Sequence, residues 1–322
     1  MRVFVTGGTG FIGSAVVRAL VSSGHTVVCL VRERSRTDRI DNLALERVHG
    51  DVREIESLRQ PIGSCDATIH LAAPGGWGKD RPSLLAAVIE GGTRNVLDAA
   101  STVRGHRIVV VSSTAAVDAS DDGRISDEDS PFSVREPALH YAHAKHRAEQ
   151  LARAAAARGQ PVVIVNPAEV YGPGDTELVT AGNLVDFATS MPVLVCDGGT
   201  SVVHVDDVVS GILAALQRGR VGERYILGGE NLTIRQLAEL VLELLGRRAP
   251  IVAVPNGLAR IVARAAGWSG LPVPFNPHVV PYATRYWFVD NGKARRELGV
   301  SFRSARETVL LTLNWLRLGG HL

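Results

Sequence analysis

The sequence predicts an α/β protein: a doubly wound parallel sheet carrying a smaller C-terminal substrate-binding lobe. Three observations predict it. A glycine turn, Gly7-Gly8-Thr9-Gly10, separates the apolar run Val3-Phe4-Val5 from a helix-periodic segment, Phe11 to Ser22, that stops at Gly24. Strand-like and helix-like runs then alternate through the first half, the βαβ rhythm of a parallel sheet covered on both faces. From about Pro167 the texture changes to shorter strands and more proline. The first domain is therefore placed at 1–166 and the lobe mainly at 167–322, with segments near 200–228 and 286–296 expected to return to the sheet.

Strand, glycine turn and helix start in this order make the cradle that a dinucleotide pyrophosphate needs. Backbone N–H groups and the positive helix end reach the phosphates only where no side chain intervenes. Gly7, Gly8 and Gly10 let the chain approach them, Gly13 lets the helix lie close on the sheet, and Phe11 and Ile12 open the helix alongside. The next strand, Thr26 to Val31, indicates which dinucleotide. An acid about 20 residues past the glycines would bind a ribose 2′-hydroxyl, but the strand runs into Arg32-Glu33-Arg34, followed by Arg36. Arginine there suits a 2′-phosphate, so NADP is favoured, while Glu33 keeps NAD open.

Further strands are expected at Leu45–His49, Ala67–Ala72, Arg107–Ser112 and Gln160–Val165, with helices near Pro82–Thr102 and Pro137–Arg158. Loops at the carboxyl ends of such strands line the ligand crevice. They comprise Gly50-Asp51-Val52, the run from His70 through Leu71, Ala72 and Ala73 to Gly76, Ser112-Ser113-Thr114, and Pro167. Small residues there let a flat cofactor lie against the backbone. Asp51 reads equally as an acceptor for the adenine amine and as a plain turn residue. In the second half, strands are expected at Val202–Val205 and Arg224–Leu227, and helices near Ile234–Leu245 and Ala305–Trp315. Gly270 to Trp287 carries four prolines and reads as a loop able to close over a substrate or as a cover for exposed core.

At 322 residues with 45% hydrophobic side chains, the chain can bury a sizeable core. A net charge of +2, from 35 basic and 33 acidic residues, builds no field that would recruit nucleic acid or an anionic membrane. Apolar runs stop short of the ~20 residues of a membrane span. The N-terminus enters a glycine turn rather than an apolar h-region with a cleavage site, so no signal peptide is expected. Cys29, Cys65 and Cys196 follow no ligand spacing and read as small fillers in a reducing cytoplasm. His140, His143 and His146 lack the acidic or thiol partners of a metal site, so no metal is expected.

Lysine occurs only at Lys79, Lys145 and Lys293, against a background of arginine. Lys145 belongs to Tyr141-Ala142-His143-Ala144-Lys145, and on a helix positions i and i+4 share a face. Tyrosine titrates near pH 10 unaided, and an adjacent ammonium favours the phenolate, which brings acid–base work within reach of neutrality. A compact ammonium can also hold ribose hydroxyls where the guanidinium fork would not substitute. Upstream, Ser112, Ser113 and Thr114 end an apolar run and offer a hydroxyl to hold a substrate oxygen.

Glycine turn, strand-end hydroxyl and Tyr-x-x-x-Lys in this order resemble the extended short-chain dehydrogenase/reductase family, with its Rossmann-type fold. The resemblance covers nearly the whole chain and includes Val203-His204-Val205-Asp206-Asp207-Val208, Asp290-Asn291-Gly292-Lys293 and Glu297-Leu298-Gly299. It implies that Thr114, with Ser113 as the alternative, is the catalytic hydroxyl beside Tyr141 and Lys145, and that the chain works as a homodimer. Thr93 and Asn95 match the family's helix motif, while its earlier asparagine falls on Ile89. Within the family the chain is most similar to dihydroflavonol-reductase-like members and hopanoid-associated sugar epimerases, on Leu30-Val31-Arg32, Val165-Asn166-Pro167, Gly172-Pro173-Gly174-Asp175 and Glu223 to Asn231. Thr200 stands where nucleotide-sugar epimerases place an arginine, leaving Arg260 or Arg285 to meet a diphosphate. Ala115 and Ala116 replace the dehydratases' acidic pair. The expected activity is reduction of a carbonyl on a small organic substrate with NADPH. The alternatives are a sugar or nucleotide-sugar epimerase with retained NAD, and a non-catalytic NADP-binding redox sensor.

Overall fold

The computed structural model describes residues 1–74, 82–269 and 277–322. The chain opens with β1 (Arg2–Thr6), α1 (Phe11–Ser22), β2 (Thr26–Val31), β3 (Glu46–His49), α2 (Glu56–Gly63) and β4 (Ala67–His70). It continues through α3 (Pro82–Leu85), a π-turn (Ala86–Gly91), α4 (Gly92–Ala100) and β5 (Arg107–Val111). Next come α5 (His140–Ala157), β6 (Val162–Pro167), β7 (Glu169–Tyr171), α6 (Ala181–Thr189), β8 (Val193–Val195), β9 (Gly199–His204), α7 (Val205–Arg218) and β10 (Arg224–Leu227). The last elements are β11 (Glu230–Thr233), α8 (Ile234–Leu245), β12 (Ile251–Ala253), α9 (Asn256–Ser269), α10 (Val280–Ala283) and α11 (Ala305–Leu318).

Seven parallel strands form the central sheet in the order β10-β6-β5-β4-β1-β2-β3. The strand order reverses between β1 and β4, and it is there that an open α/β sheet leaves a crevice at its carboxyl edge. β6 is buried along its whole length, as a strand covered on both faces must be. One face packs against α1 and α7, the other against α2, α4 and α5. A three-stranded sheet, β11-β9-β7, and the pair β12-β8 build the rest, closed by α6, α8 and α11 around a core of their own.

Three local departures from the sequence reading have physical causes. Val205 opens α7 instead of closing a strand, because the His204 ring accepts Asp206 N–H and two acids complement the helix's positive end. The helix expected over 82–102 is widened by the π-turn, where Ile89 packs on Leu85, Ala144 and Ala148. In the stretch expected to form a closing loop, residues 270–276 lie outside the described residues, and the far end is pinned by backbone bridges from Tyr286 to Ser120 and from Val289 to Ser126.

Candidate active site

Between β1 and α1 the glycine turn is built as an anion cradle. Gly7 has φ +73°, and a Cβ there would stand 2.7 Å from the Ala72 backbone nitrogen, so conformation and contact both demand glycine. Gly10 caps α1 without a side-chain cap, and no acid occupies the first turn. The first N–H groups of the helix therefore stay available to a phosphate.

Around this turn one cleft of about 1200 Å³ brings together Gly7, Gly10, Phe11, Ile12, Gly13, Arg32, Asp51, Val52, Leu71, Ala72, Ala73, Ser112, Thr114, Tyr141, Lys145 and Pro167. Its loops are braced from behind. His70 lies 2.7 Å from Thr6 Oγ1 through Nδ1 and 3.1 Å from Thr93 Oγ1 through Nε2. Burial, helped by the charge of Lys145, pushes His70 down to about 3, so it stays neutral and serves as a bracket. Asn95 Nδ2 holds Val52 O at 2.9 Å. Asp51, left open as adenine acceptor or turn residue, takes Arg53 on both carboxylate oxygens at 2.7 and 3.0 Å while lining the cleft. That pairing holds its carboxyl below the usual range.

The wall fits a dinucleotide. Ser112 Oγ is buried in it with no partner among the described residues, and the bare Gly7 backbone lines it together with Arg32, Arg34, Arg36 and Arg39. Arg39 escaped the sequence reading. Its Nη1 donates to Thr9 O at 3.1 Å and its Nη2 reaches the Thr176 hydroxyl, so it ties the phosphate turn to the start of the lobe.

Across the cleft, β5 ends in the hydroxyl cluster. Ser113 Oγ accepts Ala115 N–H at 3.2 Å and caps a short turn, whereas Thr114 is buried at the cleft wall with 6% exposure. On α5, Lys145 Nζ donates to Val111 O at 2.9 Å and stands 5.8 Å from the Tyr141 ring centroid. Burial lowers Lys145 to about 8, against the pull of Glu149 one turn further on. Glu149 in turn accepts Arg224 Nη1 and Asn166 Nδ2, each at 2.9 Å, and Asn166 also donates to Ser113 O at 2.9 Å. Tyr141, the buried ammonium of Lys145 and Thr114 thus all line one cleft, on a frame braced by these hydrogen bonds.

A sequence model of the NAD dependent epimerase/dehydratase family matches residues 3–228. The chain belongs to that family. It is 34% identical over 99% of its length to a Synechocystis protein carrying the name dihydroflavonol 4-reductase, covering 95% of that relative. It is 33% identical over 94% of its length to a 4-hydroxy-2-methyl-3-oxo-4-farnesyl-3,4-dihydroquinoline-1-oxide ketoreductase of Stigmatella aurantiaca, covering 92% of it. Its fold superimposes with a TM-score of 0.83 on PA4631, a nucleoside-diphosphate-sugar epimerase from Pseudomonas aeruginosa, at 27% identity, covering 100% of this chain and 99% of that one.

In this epimerase/dehydratase-family member the cleft is divided by charge. Its first-half wall carries Arg32, Arg34, Arg36, Arg39 and Lys145, with Asp38 and Asp51. From residue 167 onward the described lining residues include Glu169, Asp175, Glu177 and Asp186, and neither lysine nor arginine. The arginines considered for a diphosphate are engaged away from the cleft. Arg260 Nε donates to Thr284 Oγ1 at 2.9 Å, and Arg285 Nη1 donates to Asp121 at 3.1 Å. Lys79 lies outside the described residues, while Lys293 Nζ pairs with Glu223 at 2.6 Å above the Tyr225 ring. His143 and His146 hold the carbonyls of Glu136 and Ala116, and among the described residues no group of His, Cys, Asp or Glu could hold a metal. The three cysteines are free, and no described helix is long and apolar enough to cross a membrane.

Proposed function

We propose that the chain is an NADPH-dependent reductase of an organic carbonyl compound, oxidising the secondary alcohol in reverse. The charge division of the cleft carries this reading. Arginines gather where a phosphorylated cofactor would lie, and the described lining residues from 167 onward include neither lysine nor arginine. A nucleotide sugar would find no cation among those residues to meet its diphosphate. The reductase names that the Synechocystis and Stigmatella relatives carry point the same way.

When bound, NADPH supplies hydride to the carbonyl carbon. Tyr141 would give its proton to the carbonyl oxygen, and Lys145 would set a positive charge beside that phenol. Thr114 would hold the oxygen, since Ser113 already accepts Ala115 N–H. Arg32, exposed at the end of β2, would meet the 2′-phosphate, with Arg39 bracing the phosphate turn.

With a panel of aldehydes and ketones, the protein is expected to consume NADPH in step with the alcohol formed. NAD retained through purification, read by mass spectrometry of the denatured protein, with no net NADPH consumption would overturn the reading in favour of an epimerase. Binding of NADPH with no turnover of any carbonyl or sugar would favour the sensor. Arg32→Ala is expected to weaken NADPH by roughly 1.5–3 kcal/mol, the range for a hydrogen bond to a charged group, and to leave NADH unchanged. Equal losses for both cofactors in fluorescence titrations would remove Arg32 from the 2′-phosphate.

A further inference from the structure

Glu169 is the first residue of β7, two past Pro167, where the chain leaves the large sheet for the lobe. Its carboxyl lines the cleft, and it is held from behind before any substrate arrives. Tyr171 Oη and Asn183 Nδ2 both donate to Oε1, each at 2.8 Å. Tyr171 is fully buried, and its hydroxyl is held between this carboxyl and the Asn183 side chain. Burial pushes Glu169 up, opposed by the hydroxyls of Thr200 and Tyr171 and the Asn183 amide. With Tyr171, Asn183 and Thr200 all bonded to the carboxyl, its remaining acceptor position is what this corner offers to a ligand. The same cleft carries the apolar Phe187, Leu194, Ile234, Leu237, Val254 and Trp287, of which Phe187 and Leu237 share a core with Tyr171. A carboxyl oriented by these donors and set in such a cleft recognises a hydroxyl and disfavours an anion.

We propose that Glu169 determines specificity by engaging a hydroxyl on an uncharged, mainly apolar ketone substrate. The proposal rests on the reductase reading for the ketone, and on Glu169 alone for the hydroxyl. The probes are a decalone and its positional hydroxydecalones, which share one uncharged ring skeleton.

Wild type is expected to favour at least one hydroxydecalone over the decalone in kcat/KM by roughly ten- to hundredfold, the range of a hydrogen bond to a charged group. Glu169→Leu is expected to erase that preference through KM, read as the ratio of kcat/KM for the hydroxydecalone to that for the decalone. Glu169→Gln, which still accepts from Tyr171 and Asn183, is expected to restore part of it; this rescue separates recognition from loss of packing. Equal treatment of all probes by wild type, or a preference that survives in Glu169→Leu, would overturn the proposal. Calorimetric titration of the same probes into the NADPH-loaded protein repeats the comparison without turnover. If no ketone is reduced but hydroxydecalone binding still depends on Glu169, the reductase reading fails and this proposal stands; if ketones are reduced without the preference, this proposal fails alone.

Discussion

Tyr141→Phe is expected to lower carbonyl-dependent NADPH consumption by about 10²–10⁴-fold, the contribution of a positioned general acid, with NADPH affinity unchanged. The substitution removes one O–H and keeps the ring, which packs beside Ala115, Leu139 and Trp287, so neither the fold nor the phosphate cradle is disturbed. Steady-state rates and a fluorescence titration on both proteins check it. An unchanged rate would remove Tyr141 from the chemistry. The wild-type pH profile provides a companion reading. Burial lowers Lys145 to about 8, so its ammonium is present below that pH and lost above it. Reduction needs that charge beside a protonated phenol, and kcat/KM is expected to fall as pH rises through about 8. A flat profile to higher pH would show that Lys145 keeps its proton or that its charge is not needed.

Arg224→Met is expected to cost about 3–5 kcal/mol of stability, as when one partner of a buried ion pair is removed. Arg224 and Glu149 are both almost fully buried, with 8% and 3% of their side chains exposed. Arg224 also donates to Glu128 O at 2.7 Å and Ser130 O at 3.1 Å, so its loss strands two carbonyls and leaves the buried carboxylate only the longer pairing with the half-exposed Arg153 at 3.3 Å. Urea unfolding followed by circular dichroism measures the difference. Arg224→Met combined with Glu149→Leu is expected to recover much of the loss, because burying two matched apolar chains avoids the desolvation of both charges. The double variant also removes the carboxylate that raises Lys145, so its activity is expected to fall at a lower pH than in wild type. An Arg224→Met protein as stable as wild type would mean that the pair contributes nothing net.

The parts of the site that were legible are those whose geometry is local. The glycine turn is readable because Gly7 must be left-handed and bare within one strand-turn-helix unit. Tyr141 and Lys145 are readable because a helix repeats every turn, which puts i and i+4 on one face. Even the missed α7 carried a local signal, since Asp206 and Asp207 after a capping histidine mark a helix start.

What stayed hidden depends on residues far apart in the chain. Arg260 and Arg285 looked available for a diphosphate until folding turned them to Thr284 and Asp121. Glu149 and Arg224 are 75 positions apart, and Glu169, Tyr171 and Asn183 converge from a strand and a helix of the lobe. The sequence by itself determined the parallel α/β architecture, the phosphate cradle and the Tyr141–Lys145 face, because backbone sterics and hydrogen-bond periods act over a few residues. Only the tertiary structure decided which charges face the cleft and which neutralise one another, because a buried charge takes its partner from whatever the topology brings within a few ångströms.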